Sequence, residues 1–245
     1  MATLIIPGLN SSGPAHWQTW LEQTVADSRR VQLRDWVSPD LAVWTAAIRR
    51  AIAQTRGEIF LVGHSFGALA AAQAGNDYSH RIAGALLVAP ADPENFGIGE
   101  LLPQGALGFP SVVVASANDP WMKLDAAANW ARRWQSDFVS LGDAGHINTE
   151  SGYGPWPAGL DLLRRLQQDA GWHDARARQA QLPISALRRR IRGAVDTRLA
   201  TEGRGTTLAR RSAAASADIR RAVVLLEDAG WRVSPPIFEA SVASA

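Results

Sequence analysis

The 245-residue chain has no cysteine, which excludes a disulfide framework, a thiolate nucleophile and any metal or iron–sulfur site built on cysteine. It has no uninterrupted apolar run of about 18 residues, so no membrane-spanning helix is expected. The run Leu4–Ile6 is too short for the core of a secretion signal and no positive charge precedes it, so the chain reads as soluble and cytoplasmic. Neither G-x-x-x-x-G-K-[S/T] nor G-x-G-x-x-G occurs, and no cofactor is expected. No His/Asp/Glu cluster has metal-ligand spacing, and no metal is expected.

Net charge is also small, +2, but it is unevenly spread. Residues 1–171 carry 12 basic and 16 acidic side chains, whereas residues 172–245 carry 13 and 7. This divides the chain into a body, 1–171, and an Arg-rich C-terminal extension, 172–245.

The body alternates short apolar runs with helical patterns. Strands are expected at Thr3–Ile6, Val31–Asp35, Glu58–Gly63, Ala83–Ala89, Ser111–Ala115 and Phe138–Leu141. The best of them are Val/Ile/Leu-rich with little alternation, as strands covered on both faces of a parallel sheet are. Helical spacing recurs at Trp17, Trp20, Leu21 and Val25, and at Leu41, Trp44, Ile48 and Ile52. Further helices are expected over Ala68–Ala74, Ala126–Trp134 and Ala158–Leu166. Alternation of this kind means βαβ units, hence an α/β fold with helices on both faces of a mostly parallel six-stranded sheet. The Pro/Gly-rich stretch Ala91–Pro110 breaks the rhythm and has the length of a functional loop. In the extension, helices are expected at Ser185–Leu199 and Ser216–Ala229 around a Gly/Ser/Thr/Arg-rich linker, Thr201–Ala215. The tetrapeptide DAGW, at Asp169–Trp172 and Asp228–Trp231, reads as two helices ending alike.

The segment LVGHSFGAL, Leu61–Leu69, fits G-x-S-x-G between a strand pattern and a helix pattern. A serine on such a turn stands at the C-terminal edge of the sheet beside the next helix's positive end, and the glycines relieve crowding around it. Serine needs a base, and the base an orienting acid, in the chain order Ser, acid, His. His146, in DAGHIN after the last strand pattern, is the best base for Ser65. His16 and His64 precede the acid in the chain, His80 falls at the opposite sheet edge, and His173 lies in the extension. Asp119, in ASANDP, follows the fifth strand, and Asp92 competes with it after the fourth. An oxyanion needs preorganised N–H donors. The N–H of Phe66 is one, and the second is expected in PGLNSSGPAHW, with Leu9 first and Asn10 next. Of ten tryptophans, Trp121 and Trp156 flank the acid and base segments and are expected to line an acyl pocket; Trp130 and Trp134 read as core.

Residues 1–171 resemble the small α/β-hydrolase family named after retinoblastoma-binding protein 9 and the bacterial YdeN protein. The resemblance rests on Pro7-Gly8 with the later His16-Trp17, on GHSFG, on PSVVVASANDPW at Pro110–Trp121, and on GHINTESGYGPWP at Gly145–Pro157. It implies Ser65 as nucleophile, His146 as base and Asp119, rather than Asp92, as acid. It also implies serine-hydrolase activity on carboxylic esters, or on amides. The extension departs from the family. Its arginines, RRRIR at Arg188–Arg192 and the pair Arg210-Arg211, suit a solvated helix face, with contact to a protein or nucleic acid as the alternative. The expected substrate is a small-molecule ester.

Overall fold

The computed structural model describes residues 1–180, with side chains described through residue 168. The helices, linker and arginine runs expected beyond residue 180 lie outside the described residues.

Six strands make one sheet: β1 (Ala2–Ile6), β2 (Ser28–Arg30), β3 (Ile59–His64), β4 (Ile82–Val88), β5 (Ser111–Ala115) and β6 (Asp137–Ser140). All lie in the compact unit Met1–Arg176. Their order is β2-β1-β3-β4-β5-β6, and every pairing is parallel, more uniform than the mostly parallel sheet expected. Five helices follow the alternation: α1 (Trp17–Thr24), α2 (Leu41–Gln54), α3 (Phe66–Asp77), α4 (Leu124–Trp134) and α5 (Pro157–Ala180).

The central strands bury side chains on both faces, which explains their unbroken apolar sequences. Leu4, Ile6, Leu61, Leu87 and Val113 face one way, against Trp44, Ile48 and Ile52 of α2, the alanines of α3, and Trp130 and Trp134 of α4. Ile5, Phe60, Val62, Leu86 and Val114 face the other way, against Trp17 and Leu21 of α1 and Leu160, Leu163 and Leu166 of α5. Helix caps fit local chemistry: the Asp40 carboxylate accepts from Val43 N–H at the start of α2.

Two expectations are corrected. The second strand is Ser28–Arg30, not Val31–Asp35. Among the described residues it is an edge strand paired only with β1, so a polar, partly exposed sequence serves there and hydrophobic patterning does not mark it. Val31 extends the ladder by one bond, donating its N–H to the Ile5 carbonyl. Helix α5 also runs through Asp169–Trp172, where an end was expected. A glycine inside a helix costs only about 1 kcal/mol, and no proline follows until Pro183.

The chain passes from β1 outward to β2, then crosses back to β3 on the other side of β1. In open α/β sheets, the crevice for a ligand forms where the strand order reverses, at the strands' C-terminal ends. Here that point lies between the loop after β1 and the turn after β3. Among the described residues, no helix is long and apolar enough to cross a membrane.

Candidate active site

The turn after β3 holds Ser65 at φ 55°, ψ −128°, a backbone conformation that non-glycine residues rarely adopt. Close packing on three sides enforces it. A Cβ on Gly63 would lie 2.6 Å from the Ala68 Cα, and a Cβ on Gly67 would lie 2.1 Å from the Pro7 carbonyl oxygen. A Cβ on Gly8 would lie 2.7 Å from the Ser65 Cβ. The loops after β1 and β3 therefore meet backbone to backbone, and only glycine allows the approach. The Ser65 N–H donates to the Val88 carbonyl of β4, which ties the turn to the sheet.

Ser65 Oγ lies 2.9 Å from His146 Nε2. His146 Nδ1 lies 2.9 and 3.0 Å from the two oxygens of Asp119. A carboxylate accepts and does not donate, so Nδ1 carries the proton and Nε2 turns its lone pair to the hydroxyl. The Asp119 side chain is 3% exposed and also accepts from the Trp121 N–H, which fixes the carboxylate plane. The competing Asp92 plays a different part, its carboxylate capping a short 3-10 turn, Pro93–Phe96, by accepting from Glu94 N–H.

His146 sits on a loop between two left-handed residues, Gly145 (φ 57°) and Ile147 (φ 48°). The loop is held from all sides. Trp17 Nε1 donates to the Ile147 carbonyl, His64 Nε2 to the His146 carbonyl, Gly145 N–H to Asn118 Oδ1, and His146 N–H to Ser151 Oγ.

Of the two donors expected to face an oxyanion, neither Phe66 N–H nor Leu9 N–H has an acceptor among the described residues. The N–H of Asn10, the second choice, is taken by the Trp36 carbonyl. The Phe66 side chain is fully buried, edge-on to Trp44 and Phe96.

Ser65 and His146 open into a cavity of about 370 Å³. Leu9, Ala91, Phe96 and Trp121 supply its apolar wall. Trp121 is 48% exposed, its ring centroid 6.1 Å from that of His146. Trp156, expected beside it, does not line the cavity. It is buried on the α1/α5 side of the sheet, edge-on to Trp17 and Tyr153, where a large aromatic fills the gap between helices. The histidines set aside as bases do belong here: His16 and His64 both line the cavity. Chain order excluded them as the base, and their proximity to the site was legible only in the motifs HW and GHSFG. Phe96 was hidden in the long loop, which folds into two 3-10 turns, Pro93–Phe96 and Gly99–Leu101. Among the described residues, no group of three or more His, Cys, Asp and Glu is arranged to hold a metal ion.

The fold and the serine on its strained turn define an α/β hydrolase. A family model described as serine hydrolase matches residues 3–165, and the chain belongs to that family. It is a YdeN-like member. A YdeN-like hydrolase of Pectobacterium atrosepticum is 40% identical, with a TM-score of 0.67 over 69% of this chain and 91% of that one. The ydeN gene product of B. subtilis is 19% identical, with a TM-score of 0.59 over 68% and 98%. Est1E of Butyrivibrio proteoclasticus, solved with ferulic acid bound, shares the fold at 13% identity and a TM-score of 0.53 over 68% and 89%. No curated protein matches the chain.

Proposed function

We propose that the protein hydrolyses carboxylic esters, or amides, through an acyl-enzyme on Ser65. The observation that carries this reading is the unbroken hydrogen-bond chain from Ser65 Oγ through His146 to Asp119, opening on a cavity. His146 Nε2 takes the hydroxyl proton as Oγ attacks the acyl carbon, and Asp119 holds the ring and balances the imidazolium. The carbonyl oxygen, now an anion, accepts from the Phe66 and Leu9 N–H groups. As the tetrahedral intermediate collapses, the C–O bond to the alcohol breaks and His146 returns the proton to it. A water then gives its proton to His146 as it attacks the acyl-enzyme, and His146 passes that proton to Ser65 Oγ as the acyl–Oγ bond breaks and the acid leaves. Trp121 and Phe96 shelter the acyl chain. The small-molecule ester is the partner this reading requires; the Arg-rich extension adds none to it.

A fluorophosphonate probe tests the reading. It should label the wild-type chain and not Ser65→Ala, and Asp119→Asn should slow labelling and turnover together, turnover by about 10⁴-fold. A folded wild-type protein that the probe leaves unlabelled would exclude an activated serine.

A further inference from the structure

Two imidazole rings in the cavity wall are left with one nitrogen each that has no partner among the described residues, and the opposite nitrogen fixes what each can offer. His16 caps α1: its Nδ1 accepts from the Gln18 N–H at 3.1 Å. A nitrogen that accepts carries no proton, so Nε2 of the neutral ring is an N–H donor. Among the described residues no acceptor meets it, although His16 is only 6% exposed. His64 is the reverse. Its Nε2 lies 2.9 Å from the His146 carbonyl, which can only accept, so Nε2 carries the proton and Nδ1 is a bare acceptor. No donor among the described residues meets that nitrogen.

The two rings are 5.0 Å apart, edge to face, in the wall of the cavity that holds Ser65. Burial keeps both neutral. The His16 pKa is lowered to about 4, chiefly by burial and then by Arg30 and His146. That of His64 lies well below the usual value, chiefly through burial, with His146 and His16 adding to it. Neither nitrogen is sealed from solvent, so each is open to a group that enters the cavity and replaces water there. A hydroxyl meets both, since it accepts and donates at once. A carboxylate or phosphate only accepts, and among the described residues no lysine or arginine lines the cavity to receive its charge.

We propose that His16 and His64 form a subsite for a neutral hydroxyl group of the substrate, making the protein selective for hydroxyl-bearing esters. The inference rests on the hydrolase reading above, and its test separates the two.

Two matched pairs would be compared by kcat/KM: methyl β-hydroxybutyrate against methyl butyrate, and glycerol monobutyrate against propyl butyrate. The wild type should prefer the hydroxylated member of at least one pair by about 10-fold or more. His16→Asn keeps a side chain able to cap α1 but cannot reach the cavity as the imidazole does, and it should bring that preference close to unity. Hydrolysis of both members at equal rates by the wild type would overturn the subsite and leave the hydrolase reading intact. A preference that survives in folded His16→Asn would overturn it too. A wild type that neither reacts with a fluorophosphonate nor cleaves any of the four esters would instead sink the hydrolase reading. If His16→Asn fails to fold, the wild-type comparison still decides.

Discussion

His64 Nε2 donates to the carbonyl oxygen of His146 at 2.9 Å, so the residue before Ser65 grips the backbone of the residue whose ring meets the Ser65 hydroxyl. The strand that presents the serine thereby also sets the height of the histidine loop. Replacing His64 by leucine keeps an apolar side chain of moderate size and leaves a buried carbonyl unpaired. The expected cost is about 1–3 kcal/mol of stability. Turnover should fall more than binding, with kcat down by about 10-fold or more and KM changed little, because a shifted imidazole misaligns proton transfer. Steady-state kinetics on methyl butyrate, which carries no hydroxyl for the His16–His64 pair, and a denaturant titration check this together. A His64→Leu enzyme with wild-type kcat would show that the loop holds its position without that bond.

The glycines around Ser65 separate activity from stability. A methyl on Gly8 meets the side chain of Ser65, at 2.7 Å from its Cβ and 3.3 Å from its Oγ. A methyl on Gly67 meets the backbone of Pro7 and Ile6, with the nearest oxygen at 2.1 Å. Around Gly8 the next contact, the His64 carbonyl, stands off at 3.1 Å, whereas around Gly67 three backbone atoms crowd within 2.8 Å, so Gly8 asks for the smaller shift. Gly8→Ala should therefore fold with a loss of roughly 1–2 kcal/mol, and lose about 100-fold in kcat as Ser65 is displaced. Gly67→Ala should lose more, about 3 kcal/mol or beyond, with little folded protein recovered. Equal melting temperatures for the two variants would contradict the distinction.

Much of this site was legible in the sequence, because its parts sit where secondary structure changes type. Apolar runs marked β1, β3, β4 and β5, and the residues just after β3 and β5 include Ser65 and Asp119. Patterning failed at β2, since an edge strand of Ser28–Arg30 buries little and needs no apolar code. It could not choose between Asp92 and Asp119 either, since both follow central strands; the resemblance of PSVVVASANDPW points to Asp119, and in the fold that carboxylate meets His146 while Asp92 caps a turn. Trp156 was misjudged because nearness in sequence to the histidine loop says nothing about which face of the sheet a ring packs on. A Ser–His–acid set needs a single base, so its chain order gives His16 and His64 no role. A histidine in a cavity wall that offers a fixed donor or acceptor has no spacing rule to betray it.

The base and acid loops are joined through Asn118. Its Oδ1 accepts from the Gly145 N–H and from Ser116 Oγ at 2.8 Å, and Ser116 Oγ in turn accepts from the Ala144 N–H at 2.9 Å. Gly145 and Ala144 immediately precede His146, while Asn118 precedes Asp119. Asn118→Ala removes the acceptor common to both loops. It should cost about 1 kcal/mol in stability, and kcat should fall by about 10-fold. Asn118→Asp, which keeps the oxygen, should recover most of that activity. Failure of the aspartate to do better than the alanine would argue against a shared anchor.

Acid should destabilise the folded chain in a window set by His16 and His64. Both have folded-state pKa values below the ordinary 6.5, His16 at about 4 and His64 well below the ordinary value, chiefly because burial disfavours the charged ring. As pH falls through 6.5 the unfolded chain takes up protons at these positions and the folded chain does not, so the unfolded state is favoured. Above about pH 7.5 both states are neutral at these rings and they contribute no slope. Each such histidine adds up to about 1.4 kcal/mol of lost stability per pH unit. The contribution from His16 stops growing near pH 4, where its folded form also protonates. Ordinary carboxylates titrate near pH 4, so the window from about pH 6.5 to 5 reports the histidines. Unfolding free energies measured by urea titration across that window should fall as pH drops, and the fall should be shallower in His16→Asn. A wild-type profile flat from pH 6.5 to 5, or an unchanged slope in the variant, would show that His16 meets acid in the folded chain as readily as in the unfolded one.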